Sequence, residues 1–261
     1  MHMQRLALEN PFSNSPIFYK PETDSTMVDA KNLARQGYPS GTIMIAGHQT
    51  DGRGRHADRQ WYSPPETSLS FTVLLRDVED YPAAVPTTLS LRAGLALALT
   101  IDEELLVPTS IKWPNDVLLK GKKVAGILAE RRGKEAYLGV GVNCNIRKLP
   151  RQLRATATSL RRATGRKVEP LEVFSLLLPR LHTSLLGADF HTQIRDKLHY
   201  LDTTVELKVG NTTSRVVVKG VDSDGLLVVF PIDGKAEERH ASAEILGPVP
   251  SGRKRGRRQA E

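Results

Sequence analysis

Ala83 to Glu104 is the stretch that most restricts what this chain can fold into. It reads as one long helix, mostly buried, with Pro86 near its start, where a proline is tolerated. The segments around it read as strands. Thr42 to His48 and Leu69 to Leu75 precede it. Ser110–Trp113, Val117–Leu119, Lys123–Glu130 and Ala136–Asn143 follow, with Gly121-Lys122 as a hairpin turn between the second and third of these. A shorter helix is expected from Thr26 to about Gln36, capped by Ser25 or Thr26 and ended by Gly37. Further helices are expected over Leu171–Leu186 and about Phe190–His199. This mixture of strands and helices indicates an α+β fold.

Past Leu201 the texture changes. Val205–Val209, Arg215–Val221, Leu226–Phe230 and Glu237–Ala241 are short strands divided by Gly210-Asn211, Asp222–Gly225 and Asp233-Gly234. Short strands with dense turns point to a small β-barrel. The expected organisation is an irregular lead-in at 1–16 containing Pro11 and Pro16, a catalytic domain at 17–201, the barrel at 202–249 and a disordered basic tail at 250–261.

Composition excludes some classes. No apolar run reaches the eighteen or more residues of a membrane span, and the first residues lack the apolar stretch of a signal peptide. Cys144 is the single cysteine, so no internal disulfide can form, and a cytoplasmic location is expected. The tail residues Arg253, Lys254, Arg255, Arg257 and Arg258 stand against Glu261 and carry half of the net charge of +8. Such a tail can bind nucleic acid or an acidic partner weakly, or serve as a solubilising terminus.

Four segments carry chemistry. The first is Gln49-Thr50-Asp51-Gly52-Arg53-Gly54-Arg55, followed by Arg59 and Trp61, within a long polar stretch from Asp51 to Glu66. Glycines let backbone N–H groups approach a phosphate, and guanidinium forks grip phosphate or carboxylate. Three arginines so close would repel one another without an anion, so a loop that orders around its ligand is expected. A solvated basic loop is the plain alternative. The second segment is Lys112-Trp113-Pro114-Asn115-Asp116, where proline breaks the strand and a turn presents an amide and a carboxylate. The third is Lys123-Val124-Ala125-Gly126-Ile127, a lysine opening a strand of small residues beside which a ligand has room. The fourth is Gly139-Val140-Gly141-Val142-Asn143, whose glycines permit close approach and whose asparagine can read an adenine edge. Cys144, next in line, has apolar neighbours and reads as a core residue.

Together with Asp24-Ser25-Thr26, these segments resemble the biotin–protein ligase family, in the family's order and near its spacing, over about residues 17–200. Gly220-Val221-Asp222-Ser223-Asp224-Gly225-Leu226 resembles a hairpin of that family's C-terminal SH3-like barrel. Five residues, His56 to Gln60, separate Arg55 from Trp61 where the family usually has four, which leaves the register of Arg59 open. About sixteen residues ahead of the catalytic segment are too few for a winged helix, so no DNA-binding repressor role is expected.

The resemblance implies a mixed, mostly antiparallel sheet packed by helices, like that of class II synthetases. It also implies an ATP-dependent enzyme that makes biotinyl-5′-adenylate and passes biotin to a lysine of the biotin carboxyl carrier protein of acetyl-CoA carboxylase. Biotin and ATP would be substrates, with Mg²⁺ held mainly by phosphates and water, and with no metal site built by the protein. The implied biotin-binding residues are Ser25, Thr26, Gln49, Gly52, Arg53, Arg55, Trp61, Lys123, Gly126 and Gly141. Those implied for ATP are Arg53, Arg55, Arg59, Trp61, Lys112, Asn115, Lys123 and Asn143, and those for catalysis are Lys123, Arg53, Arg55 and Asp116. Family members often form homodimers through the sheet. Two other readings stand beside this one: a lipoate–protein ligase of the same fold, and a basic nucleic-acid-binding module.

Overall fold

A computed structural model describes residues 3–55, 60–78, 86–187 and 190–249. Arg59 and the basic tail 250–261 lie outside the described residues, as do Ala83 to Val85 at the start of the expected long helix. In chain order the elements are β1 (Gln4–Leu6), β2 (Ile17–Lys20), α1 (Thr26–Arg35), β3 (Ile43–Ala46), β4 (Ser68–Leu75), α2 (Pro86–Glu104), β5 (Thr109–Lys112), β6 (Asp116–Leu119), β7 (Lys122–Arg132) and β8 (Glu135–Asn143). There follow α3 (Leu160–Thr164), α4 (Pro170–Leu186), α5 (Phe190–Arg195), β9 (Thr204–Val209), β10 (Thr212–Val221), β11 (Leu227–Pro231), β12 (Glu238–His240) and β13 (Glu244–Pro248).

The first eight strands form one sheet in the order β1-β2-β3-β4-β8-β7-β6-β5. Only β2 and β3 run parallel, joined by α1 as a crossover. The sheet is therefore mixed and mostly antiparallel. α2 packs against it and against α4. From Thr88 to Ala98 every residue of α2 is buried, the all-round covering that its apolar sequence demands. Arg92 is buried there too, at 2% exposure. Its guanidinium donates to the carbonyls of Ser184, at 2.8 Å, and of Gly187, at the end of α4, and lies 4.3 Å from the Phe190 ring centre. Carbonyls in the last turn of a helix lack helical partners, so the buried cation and the helix end satisfy each other.

Beyond Tyr200 a five-stranded antiparallel sheet forms in the order β12-β11-β10-β9-β13. The apolar core is continuous across the junction, from Phe12 and Ile17 through α2 to Val205, Leu227 and Ile245.

Several expectations are corrected. Residues 1–16 are not wholly irregular, because Gln4–Leu6 pairs with Ile17–Tyr19 as an edge strand. The tight turn before β7 is at Lys120-Gly121, not Gly121-Lys122. Both of its residues have positive φ, at 48° and 73°, as a two-residue hairpin loop requires. The helix expected over Phe190–His199 ends at Arg195. Ile111 then bonds the chain beyond it, its N–H donating to Lys197 O at 2.6 Å and its carbonyl accepting from His199 N–H at 2.7 Å. β2, α3 and β13 were not anticipated. No helix among the described residues is long and apolar enough to cross a membrane.

Candidate active site

The site begins where β2 gives way to α1. Ser25 is the N-cap of α1, and it and Thr26 are buried. The chain leaving β3 runs beside this turn and brings Gln49 onto Thr26. Gln49 Oε1 accepts from the Thr26 N–H at 2.9 Å and from its hydroxyl at 3.1 Å. The Thr26 hydroxyl also meets that of Thr72 at 2.9 Å. Three side chains from three elements are thus held in one hydrogen-bonded line along the wall of a narrow pocket.

Trp61 lines the same pocket. Its backbone N–H donates to Gly52 O at 2.8 Å, and Gly52 packs so closely that a Cβ there would lie 3.1 Å from both Gln49 Nε2 and Trp61 Cβ. The indole lies over the paired strand glycines of β7 and β8. Gly126 and Gly141 face each other across the ladder. A Cβ on Gly141 would come within 2.5 Å of Trp61 Cε2, and one on Gly126 within 2.9 Å of Lys123 Nζ. The space expected beside these glycines is thus occupied by Trp61 and Lys123 themselves. Trp61 Nε1 is buried and has no hydrogen-bond partner among the described residues.

Beyond Trp61 the narrow pocket adjoins a broad cleft of about 1260 Å³. Gln49, Gly54, Arg55, Trp61, Asn115 and Lys123 line both. Lys123 Nζ is 2.6 Å from Asp116 Oδ1 and 5.9 Å from the Trp61 ring centre. The two charges come from neighbouring strands, since β6 opens with Asp116 and β7 carries Lys123 as its second residue. Their side chains are 34% and 24% exposed, so the pair is reachable from the cleft.

Arg55 reaches over the Trp113 ring at 5.7 Å and donates to Ser242 Oγ at 3.3 Å. Burial pulls its pKa below the usual arginine value, and the carboxylates of Asp116 and Glu244 pull the other way. Arg53 is more exposed and pairs with Asp51 at 3.3 Å. Lys112 and Asn143 line the broad cleft with Asp116. Asn143 is buried and donates to Thr158 O at 3.0 Å. The Asn115 amide donates to Ile127 O at 2.8 Å, which ties the turn after the cis Trp113–Pro114 bond to β7. Cys144 is fully buried, and burial pushes its thiol up to about 12, so it holds its proton and is no nucleophile.

Of the residues expected here, the structure brings Ser25, Thr26, Gln49, Arg53, Arg55, Trp61, Lys123, Gly126 and Gly141 to the narrow pocket. Gly52 supports its wall from behind. Sequence reasoning missed Thr72. Ser68, Ser70 and Thr72 recur at every second position of an otherwise apolar strand, a polar stripe on one face that a period-two reading detects. It also missed the stretch from Ala243 to Leu246, which lines the broad cleft from the second sheet. No sequence signal links that stretch to residues more than a hundred positions away.

Comparison with known proteins bears on this arrangement. The biotin/lipoate A/B protein ligase family profile matches residues 19–146. The bifunctional ligase/repressor BirA of Bacillus subtilis is 30% identical over 254 residues, spanning 92% of this chain and 77% of that protein. The biotin–[acetyl-CoA-carboxylase] ligase of Paracoccus denitrificans is 33% identical, spanning 79% of this chain and 91% of its own. Among solved structures, the biotin protein ligase from Aquifex aeolicus in complex with biotin and ATP superposes with a TM-score of 0.77 at 28% identity, covering 88% of this chain and 98% of that one. The large mixed sheet with few helices is that of a protein ligase. The chain belongs to the biotin/lipoate A/B protein ligase family.

Proposed function

We propose that this protein is an ATP-dependent biotin–protein ligase, and that residues 17–201 form its catalytic unit beside an SH3-like barrel at 202–249. The observation that carries the reading is the position of Lys123, which lines both a narrow, mostly apolar pocket and a broad cleft of mixed polar and apolar lining. An acid with a compact ring end fits the first, and a nucleotide fits the second. The reacting carboxylate and the α-phosphate then meet at one ammonium.

In this reading Ser25, Thr26 and Gln49 bind the ureido ring, and Trp61 covers the apolar part of the substrate. A carboxylate oxygen attacks the α-phosphorus, forming the acyl–phosphate bond as pyrophosphate leaves. Lys123 offsets the negative charge that gathers on both partners, and Arg55 and Arg53 close on the product and exclude water. Asn143 and Asn115 bound the nucleotide side of the cleft. The neutral acceptor amine then attacks the acyl carbon, the C–O bond to AMP breaks as AMP departs, and the proton lost from nitrogen passes to water. Asp116, released as Lys123 turns to the ligand, orients that amine. Orientation is its main part, because an alkylammonium is a far weaker acid than a carboxylic acid.

No group of three or more metal-ligating side chains occurs among the described residues; of the carboxylates that line the two pockets, Asp116, Glu130 and Glu244, the first is paired with Lys123. In this reading Mg²⁺ enters with the nucleotide, held mainly by its phosphates and water. The acceptor is taken to be the biotin carboxyl carrier protein of acetyl-CoA carboxylase, in the cytoplasm.

Incubation with biotin, labelled ATP, Mg²⁺ and a carrier domain tests the reading. Biotinyl-adenylate is expected first and protein-bound biotin second. Thermal stabilisation by lipoate and not by biotin would instead make the chain a lipoate enzyme of the same family.

A further inference from the structure

Charge is distributed unevenly along this chain. Residues 147–167 contain Arg147, Lys148, Arg151, Arg154, Arg161, Arg162, Arg166 and Lys167 and no acidic residue. Outside that segment and residues 251–261, 24 cations stand against 28 acids. All eight but the half-buried Arg161 are exposed. Lys167 pairs with Glu169 at 2.5 Å, and the other seven have no carboxylate partner among the described residues. So many like charges in one short stretch repel one another, which costs stability unless an anionic partner meets them.

The segment is bound to the catalytic strand. Lys123 N–H donates to Thr156 O at 2.8 Å, and Thr158 N–H donates to Lys123 O at 2.8 Å. Lys122 Nζ donates to Arg154 O at 3.2 Å. Leu149, Pro150, Gln152 and Thr156 line the broad cleft. Exposed Lys148 precedes Leu149, and exposed Arg151 lies between Pro150 and Gln152, so these cations and the neighbouring Arg147 adjoin residues that line the cleft.

We propose that residues 147–167 form an electropositive landing surface for an acidic face of the acceptor protein, guiding its lysine to Asp116. The proposal rests on the ligase reading and names the kind of surface the acceptor presents. A triphosphate has too few charges for so many cations. The segment holds no aromatic residue on which a nucleic-acid base could stack. The acceptor, by contrast, must enter this cleft for its amine to reach the acyl carbon. Rim charges of this kind act on encounter and fade with salt.

The triple variant R147E/K148E/R151E tests it, with R147Q/K148Q/R151Q as a milder partner. Adenylate formation is followed by pyrophosphate release, and transfer is followed with the carrier domain of acetyl-CoA carboxylase. For the reversal variant the acceptor KM is expected to rise about tenfold at low ionic strength, and the gap to close near ~0.5 M salt, where screening acts within about 4 Å. The neutral variant is expected to lie between it and the parent. Adenylation and the KM for ATP are expected to stay within twofold, which also reports that the variants fold. An unchanged acceptor KM overturns the proposal, as does a parallel rise in the KM for ATP, which would assign the cations to the nucleotide. A labelled single-stranded oligonucleotide that binds the parent more tightly than the carrier domain does, and loses that binding in the variant, would assign them to nucleic acid. If the unaltered protein makes no adenylate from biotin, the ligase reading itself fails, and this proposal with it.

Discussion

Lys123 and Asp116 form an ion pair at 2.6 Å, and the proposed mechanism requires that each be released to meet its own ligand group. Lys123→Ala removes the cation that, in the proposed mechanism, faces the developing charge. Its adenylation rate is expected to fall by about 10²-fold or more, with an unchanged unfolding midpoint in urea. A rate near the parent's would remove Lys123 from the mechanism. The glycines beneath Trp61 impose a different constraint. In Gly141→Ala the new methyl group would sit 2.5 Å from an indole carbon, far inside contact distance, so the ring must leave its place. Biotin affinity is expected to weaken at least about tenfold, because the pocket loses its apolar wall. The chain has two tryptophans, and Trp113 is 2% exposed, so a shift in fluorescence would report the displacement of Trp61 directly.

Among the elements, the β6–β7 hairpin matters most, because it places Asp116 and Lys123 on adjacent strands. Its turn requires left-handed backbone at Lys120 and at Gly121, where φ is 73°. Gly121→Val forces a branched side chain into that conformation and is expected to cost about 1–2 kcal/mol, read as a lower urea midpoint. Gly121→Asn is expected to cost much less, since asparagine tolerates the same region. Equal losses in the two variants would show that the turn conformation is not what matters. The strands flanking this turn were legible because their apolar patterns are strong. β1 was not, because a three-residue strand has too little pattern to stand out, and its pairing with β2 depends on a partner eleven or more residues away.

At the scale of the whole molecule, the second sheet is joined to the catalytic one by a few defined contacts. Trp113 Nε1 donates to Gly225 O at 3.0 Å, and the Thr88 hydroxyl donates to Asp224 O at 2.8 Å. Gly225 fits against α2 so closely that a Cβ there would meet Thr88 Oγ1 at 2.7 Å. Trp113→Phe keeps an aromatic ring and removes the donor, leaving a buried carbonyl without its partner. The expected loss is about 1–3 kcal/mol in urea unfolding. The KM for ATP is expected to rise as well, because Ala243 to Leu246 would no longer be held firmly against the broad cleft. A loss of stability with an unaltered KM would mean that the second sheet supports the fold without shaping the site.

The chain's local patterns were enough to reveal the long buried helix, most strands of both sheets and the four segments from which the site is built. Those features depend on residue type, spacing and period, which are properties of neighbours in sequence. Tertiary structure decided what lies against what. It set Trp61 on Gly126 and Gly141, hung Gln49 from Thr26 and Thr26 from Thr72, brought Arg55 to Ser242, and bound Thr156 and Thr158 to the backbone of Lys123. Each of these joins residues far apart in the chain. Which distant partners meet is settled by how a sheet stacks its strands and by how one continuous core closes, not by any short stretch of sequence.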